Sequence, residues 1–154
     1  MKTEIEQIEA GKQLLEGMIQ ELYHSCTKIV EAFWEELIAM EKSRPGWENK
    51  SCIKLRCVLT GNSIRAEWIG VTWKGKNKDG KFFDVTKFIP KPPGKYRYAL
   101  TKLFKYSHEW EKPLIEGTEA KLELIRQQAS HLTRSNTALR YALDIARKRA
   151  ELMD

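Results

Sequence analysis

The chain has 154 residues, a hydrophobic fraction of 42% and a formal charge of +6, enough for one domain with a real core and too little for two. No stretch approaches the roughly 20 apolar residues a membrane span needs, and the charged start MKTEIEQIEAGK excludes a secretion signal, so a cytoplasmic protein with no membrane partner is expected. Three cysteines, Cys26, Cys52 and Cys57, lack a CxxC spacing, and Cys52 and Cys57 have no nearby histidine, which points to reduced, mostly buried thiols and to no metal.

The charge is unevenly spread. Residues 1–49 carry five basic residues against ten glutamates, a net of −5. Residues 50–106 carry fourteen basic residues against Glu67, Asp79 and Asp84, a net of +11, and residues 107–154 balance. Concentrated positive charge suits a polyanion.

In chain order, the first element is a long helix over residues 3–44. Ile5, Ile8, Leu15, Ile19, Leu22, Cys26, Ile29, Phe33 and Met40 recur at steps of three and four, with lapses at Lys12 and Glu36, the spacing of a coiled-coil-like seam. Arg44-Pro45-Gly46 ends it, because a proline disfavours helical geometry in the residue before it. Residues 50–98 then form a basic β-meander and loop. CIKLRCVL alternates as a strand, Gly61-Asn62 turns, SIRAEWIGVTWK is a second strand, Asp79-Gly80 turns again, and KFFDVTKFI is a third. Pro90, Pro92, Pro93 and Gly94 break the pattern, and YALTKLFKY predicts a short helix.

A second long helix occupies residues 109–152. Its seam is Ile115, Thr118, Leu122, Ile125, Ala129, Leu132, Asn136, Leu139, Leu143, Ala146, Ala150 and Met153, with Asn136 as the polar residue that fixes register. Arg147, Lys148 and Arg149 suit a helix C-terminus. The expected whole is a single α+β domain, 1–154. Two long antiparallel coiled-coil-like helices flank a three-stranded antiparallel meander that sits as a head at one end. Pairing of the helices with a second copy, as a homodimer, is the alternative.

The strongest functional signal lies in TWKGKNKDGKFFDVTKFIPKPPGKYRY. Lys74, Lys76, Lys78 and Lys81 crowd a hairpin tip, and Lys87, Lys91, Lys95 and Arg97 follow. Like charges this close repel unless an anion neutralises them, and phosphates do so with release of counterions. Trp73, Phe82, Tyr96 and Tyr98 are interleaved with the cations and are candidates to stack on bases, although for Phe82, as for Phe83 and Phe88, the core is the better reading. The predicted nucleic-acid contacts are therefore the eight lysines and arginines named here together with Tyr96 and Tyr98. Glu35-Glu36 and Glu109-Glu111 read as solvated faces. GxxxxGK[ST], GxGxxG, GxSxG and HExxH are absent; a tyrosine nucleophile would need activating arginines or a histidine cluster. No catalytic site and no cofactor are expected.

The segment FIPKPPGKYRYALTKLFKYSHEWEKPLIEGTEAKLELIRQQASHLTR, Phe88 to Arg134, resembles the MobI mobilisation accessory proteins of conjugative plasmids and integrating elements. The resemblance is carried by PKPPGKYRY, ALTKLFKY, the Glu109-Trp110-Glu111 step and EAKLELIRQQ. It implies an auxiliary protein at a transfer origin whose partners are DNA, duplex or single-stranded, and a relaxase. It highlights Lys91, Lys95, Tyr96, Arg97 and Tyr98 and supplies no catalytic residues. RNA satisfies the same charge pattern, and a coiled-coil adaptor or inhibitor for an acidic protein surface is the rival from another class.

Overall fold

The computed structural model describes residues 3–76, 78–80 and 82–153, with backbone alone at Lys76, Phe82 and Phe83. Helix α1 spans Glu4–Lys42. It starts on a capping box: Thr3 Oγ1 accepts from the Glu6 amide at 3.2 Å, and Glu6 Oε2 accepts from the Thr3 amide at 3.1 Å. Ser43 closes its C-terminus, two residues before Pro45, and a 3-10 turn, Trp47–Asn49, leads to the sheet.

Strands β1 (Ile53–Thr60), β2 (Ser63–Lys76) and β3 (Phe82–Phe88) form an antiparallel meander in the order β1-β2-β3. Gly61, at φ 60°, makes the first turn, a left-handed conformation that glycine adopts without a Cβ penalty. β1 pairs with β2 from Ile53↔Gly70 to Thr60↔Ser63, and β3 pairs with the far half of β2 from Ile69↔Phe88 onward. Beyond the prolines come α2 (Leu100–Phe104), a 3-10 turn at Glu109–Glu111 and α3 (Lys112–Met153).

α1 and α3 pack against each other within one chain. They run antiparallel: Arg149 binds Glu4 at 2.8 Å and Arg147 binds Glu9 at 2.9 Å. These arginines thus neutralise the acidic start of α1 as well as suiting their own helix end. Ile19, Leu22, Cys26, Phe33 and Leu37 of α1 are buried, as are Ile115, Leu122, Ala129, Asn136, Leu143 and Ala146 of α3. Ala150 and Met153, expected in the seam, are exposed, because α1 offers only its first turn opposite them.

The sheet is not a head at the end of the helices. It lies along them, over the C-terminal half of α1 and the first half of α3. One face, carrying Ile53, Leu55, Ala66 and Trp68, is buried. Trp68 meets Phe33 edge to face at 5.1 Å between centroids, a geometry that the ring quadrupoles favour. Burying a side chain of this size contributes on the order of 3 kcal/mol. Trp34 Nε1 donates to the Leu55 carbonyl at 2.9 Å, and Thr133 Oγ1 to the Asn62 carbonyl at 2.7 Å. Gly70 lets Tyr106 lie against β2, since a Cβ there would run into the tyrosine ring.

Two expectations for side chains are overturned. Phe88, expected in the core, is 55% exposed, because its register opposite Ile69 puts it on the sheet face that no helix covers. The Phe82 and Phe83 side chains lie outside the described residues. Glu111, expected on a solvated face with Glu109, is fully buried, since the 3-10 turn that precedes α3 directs it inward; Glu35 and Glu36 are exposed.

Candidate nucleic-acid interface

β3 covers only Ile69 to Lys76 of β2. Past Ile89, whose amide donates to the Trp68 carbonyl at 3.2 Å, the chain leaves the sheet. The loop from Pro90 to Tyr98 then faces the uncovered edge of β2 and α3. What pins it there is a buried ion pair. Glu119 and Arg126 sit two helical turns apart on α3, and Arg126 reaches both carboxylate oxygens, at 2.8 and 3.0 Å. Glu119 accepts further bonds from Trp68 Nε1 at 2.9 Å and from the Tyr98 amide at 2.6 Å. Arg126 also donates to the edge carbonyl of Ala66 at 3.0 and 3.2 Å and to the Tyr96 carbonyl at 2.8 Å. A buried pair contributes to stability only when its remaining donors and acceptors find partners, and here sheet, loop and helix supply them.

The network decides which loop side chains face out. Tyr98 is 5% exposed, with Arg126 over its ring at 4.8 Å, and burial pushes its hydroxyl pKa up. Tyr98 is therefore a core residue and leaves the set of predicted contacts. Tyr96 is half-buried, and its hydroxyl receives a bond from Arg134 Nη2 at 3.1 Å. A hydrogen bond with Ser130, then Arg134 and Lys91, hold its pKa below the usual tyrosine value. Lys95 and Arg97 are exposed; Arg97 stands 3.9 Å from Glu123, and Lys91 donates to the Lys95 carbonyl.

Loop, β2 edge and α3 enclose a cavity of about 700 Å3 lined by Arg65, Lys91, Lys95, Tyr96, Ser130 and Arg134 among others. Arg65, Ser130 and Arg134 were absent from the sequence prediction, because they come from a different strand and helix. Arg134 Nη2 also binds Ser130 Oγ at 2.9 Å. That spacing of four is a helical neighbour pair, the one signal the sequence offered. Glu67 is the acid of the lining, held between Arg56 at 2.9 Å and Arg65 at 3.4 Å.

The basic run read from the sequence thus divides. Lys74 and Lys78 are exposed at the β2–β3 hairpin tip, nine or more residues along the chain from Arg65. At about 3.3 Å per residue this is about 30 Å from the groove. Lys87 is exposed on β3 between the two. The Lys76 side chain and Lys81 lie outside the described residues.

Among the described residues no helix is long and apolar enough to cross a membrane, and no group of three His, Cys, Asp or Glu side chains could hold a metal ion. A model of the MobI protein family matches residues 22–140, from the middle of α1 through the sheet and loop into α3. No curated protein and no solved structure matches.

Proposed function

Because this chain belongs to the MobI family, which is associated with mobilisation, we propose that it is a non-catalytic DNA-binding accessory protein that assists a relaxase at a conjugative transfer origin. The observation that carries this reading is the loop held by the buried Glu119–Arg126 pair, with Lys91, Lys95 and Tyr96 set beside Arg65 and Arg134 and Arg97 exposed next to Glu123. A preorganised basic groove loses little entropy on binding, and its cations can neutralise phosphates of a bound backbone. The exposed lysines of the hairpin tip, Lys74 and Lys78, with Lys87 between, extend the positive surface and serve as a second phosphate-binding region.

The test is fluorescence anisotropy of labelled DNA over a salt series. Replacing Lys91, Lys95 and Arg134 by alanine is expected to weaken binding and to reduce the salt slope by about one for each phosphate no longer neutralised. An unchanged slope removes the groove from the interface. A specific observation favours a second reading, an adaptor for another protein: Leu14, Met18, Tyr141 and Ile145 are exposed on the helix pair. Absence of DNA binding at low salt makes that reading the better one.

A further inference from the structure

The face of the sheet turned away from the helices has an unusual surface. The open side of an antiparallel sheet is ordinarily polar. Here Phe88 is 55% exposed on it, and Trp47, beside its β1 end, is 44% exposed. Register places Arg56 and Glu67 in one row of this face, Lys54, Ile69 and Phe88 in the next, the buried Val71 beside Thr86 after that, and Trp73 with Asp84 beyond. Cations lie over the rings. The Arg56 guanidinium is 4.6 Å from the Phe88 centroid, Lys50 is 4.6 Å from Trp73 and 5.7 Å from Trp47, and Lys54 is 5.9 Å from Trp73. Trp47 and Trp73 meet at 5.5 Å beside a cavity of about 480 Å3. Trp73 is fixed by its bond from Nε1 to the Ser51 carbonyl at 3.1 Å.

From these positions we infer that the open sheet face is a stacking platform for an unpaired nucleic-acid strand, running from the basic groove to the hairpin tip. The inference rests on the DNA-binding reading above and narrows its substrate to single-stranded segments. Arg65 belongs both to this face and to the groove lining, so a backbone seated in the groove continues onto the sheet. The run to Trp73 is about 26 Å at about 3.3 Å per residue. Bases stack on exposed aromatic faces regardless of sequence, and their phosphates need cations alongside. A duplex offers neither exposed base faces nor a strand that can follow a sheet. The two acids do not oppose this. Glu67 and Asp84 are each paired, with Arg56 and Arg65 and with Lys54. The cations of these pairs remain open to solvent, with side chains 39% to 54% exposed, and partly exposed pairs are weak enough for a phosphate to compete for the cation.

The experiment compares an oligothymidylate with a duplex of matched length on the full chain and on Phe88→Leu, Phe88→Tyr and Trp47→Leu variants. Circular dichroism confirms that each variant is folded. Leucine keeps apolar bulk and removes the ring. The expected result is a loss of about tenfold in oligothymidylate affinity for Phe88→Leu and for Trp47→Leu, retention in Phe88→Tyr, and little change for the duplex. Equal losses on both probes, or no loss on either, overturn the platform and leave the groove reading standing. Failure of the unsubstituted chain to bind either probe overturns both.

Discussion

Glu111 gives the sharpest quantitative test of the structure. Its carboxyl group is fully buried, and neither oxygen has a well-formed hydrogen bond, the Ser51 hydroxyl being the nearest donor. Burial raises its pKa from 4.5 to about 7, against the smaller effects of His108 and a nearby Ser51 hydroxyl, while Glu41 adds to the rise. Below pH 4.5 the group is protonated whether the chain is folded or not. Between 4.5 and about 7 the folded protein keeps a proton that the unfolded chain has released, so stability falls as pH rises through this window; above it the loss is complete. A pKa of about 7 in place of 4.5, at about 1.36 kcal/mol per tenfold change in proton affinity, gives a loss of about 3 kcal/mol. Glu111→Gln keeps the shape and cannot ionise. Urea denaturation at several pH values from 4.5 to 8 is expected to show the substituted protein gaining on the original by about 3 kcal/mol across the window. Parallel stability profiles for the two proteins would refute the buried-carboxyl argument.

Two further predictions concern the interior. Arg126→Leu leaves the Glu119 carboxylate buried without its partner and is expected to cost about 3–5 kcal/mol, measured by chemical denaturation. Adding Glu119→Gln should restore part of that, and a loss under 1 kcal/mol for the single variant would show that the pair does not pin the loop. Cys26 and Cys57, on α1 and β1, have sulfurs 2.8 Å apart, and the Cys57 thiol pKa is lowered chiefly by the hydrogen bond with Cys26. With oxidised glutathione, the Cys57 thiolate is expected to displace one glutathione thiolate, and Cys26 then displaces the second to close a disulfide. Thiol titration should lose both groups reversibly, and Cys57→Ser should abolish the closure.

Periodic features were legible in the sequence, and features created by distant contacts were not. Steps of three and four marked the buried stripe of each helix, and Gly61 and Gly80 marked the turns, because these signals are local. The position of Phe88 depends on register with Ile69, which the alternation within β3 alone does not set. Tyr98 lies in a proline-rich loop with no period, so only the Glu119 carboxylate that holds its amide reveals that it turns inward. Glu119 and Arg126 flank the seam residues Thr118 and Ile125 at a spacing of seven, one stripe beside it. A charge at such a place reads as solvated until a sheet is laid over it. Lys95 and Arg97 emerged from charge alone, whereas Arg65 and Arg134 required the fold to bring three elements together.

The pairing of the first helix with the last has a consequence for how the chain is made. α1 ends at Lys42 and α3 begins at Lys112, so the ribosome adds a whole meander and loop between them. At about 5–20 residues per second, about 4–14 s pass between the end of α1 and the start of α3, and the face of α1 that carries Ile19, Leu22 and Phe33 waits at least that long for its partner. The hairpins, whose contacts are local, have time to form in that interval. They cover α1 from Cys26 onward, while Ile19 and Leu22 stay open until the middle of α3, around Ile125 to Leu139, emerges, and that stretch is where a nascent chain of this protein is most exposed to a chaperone or to its neighbours on the same message.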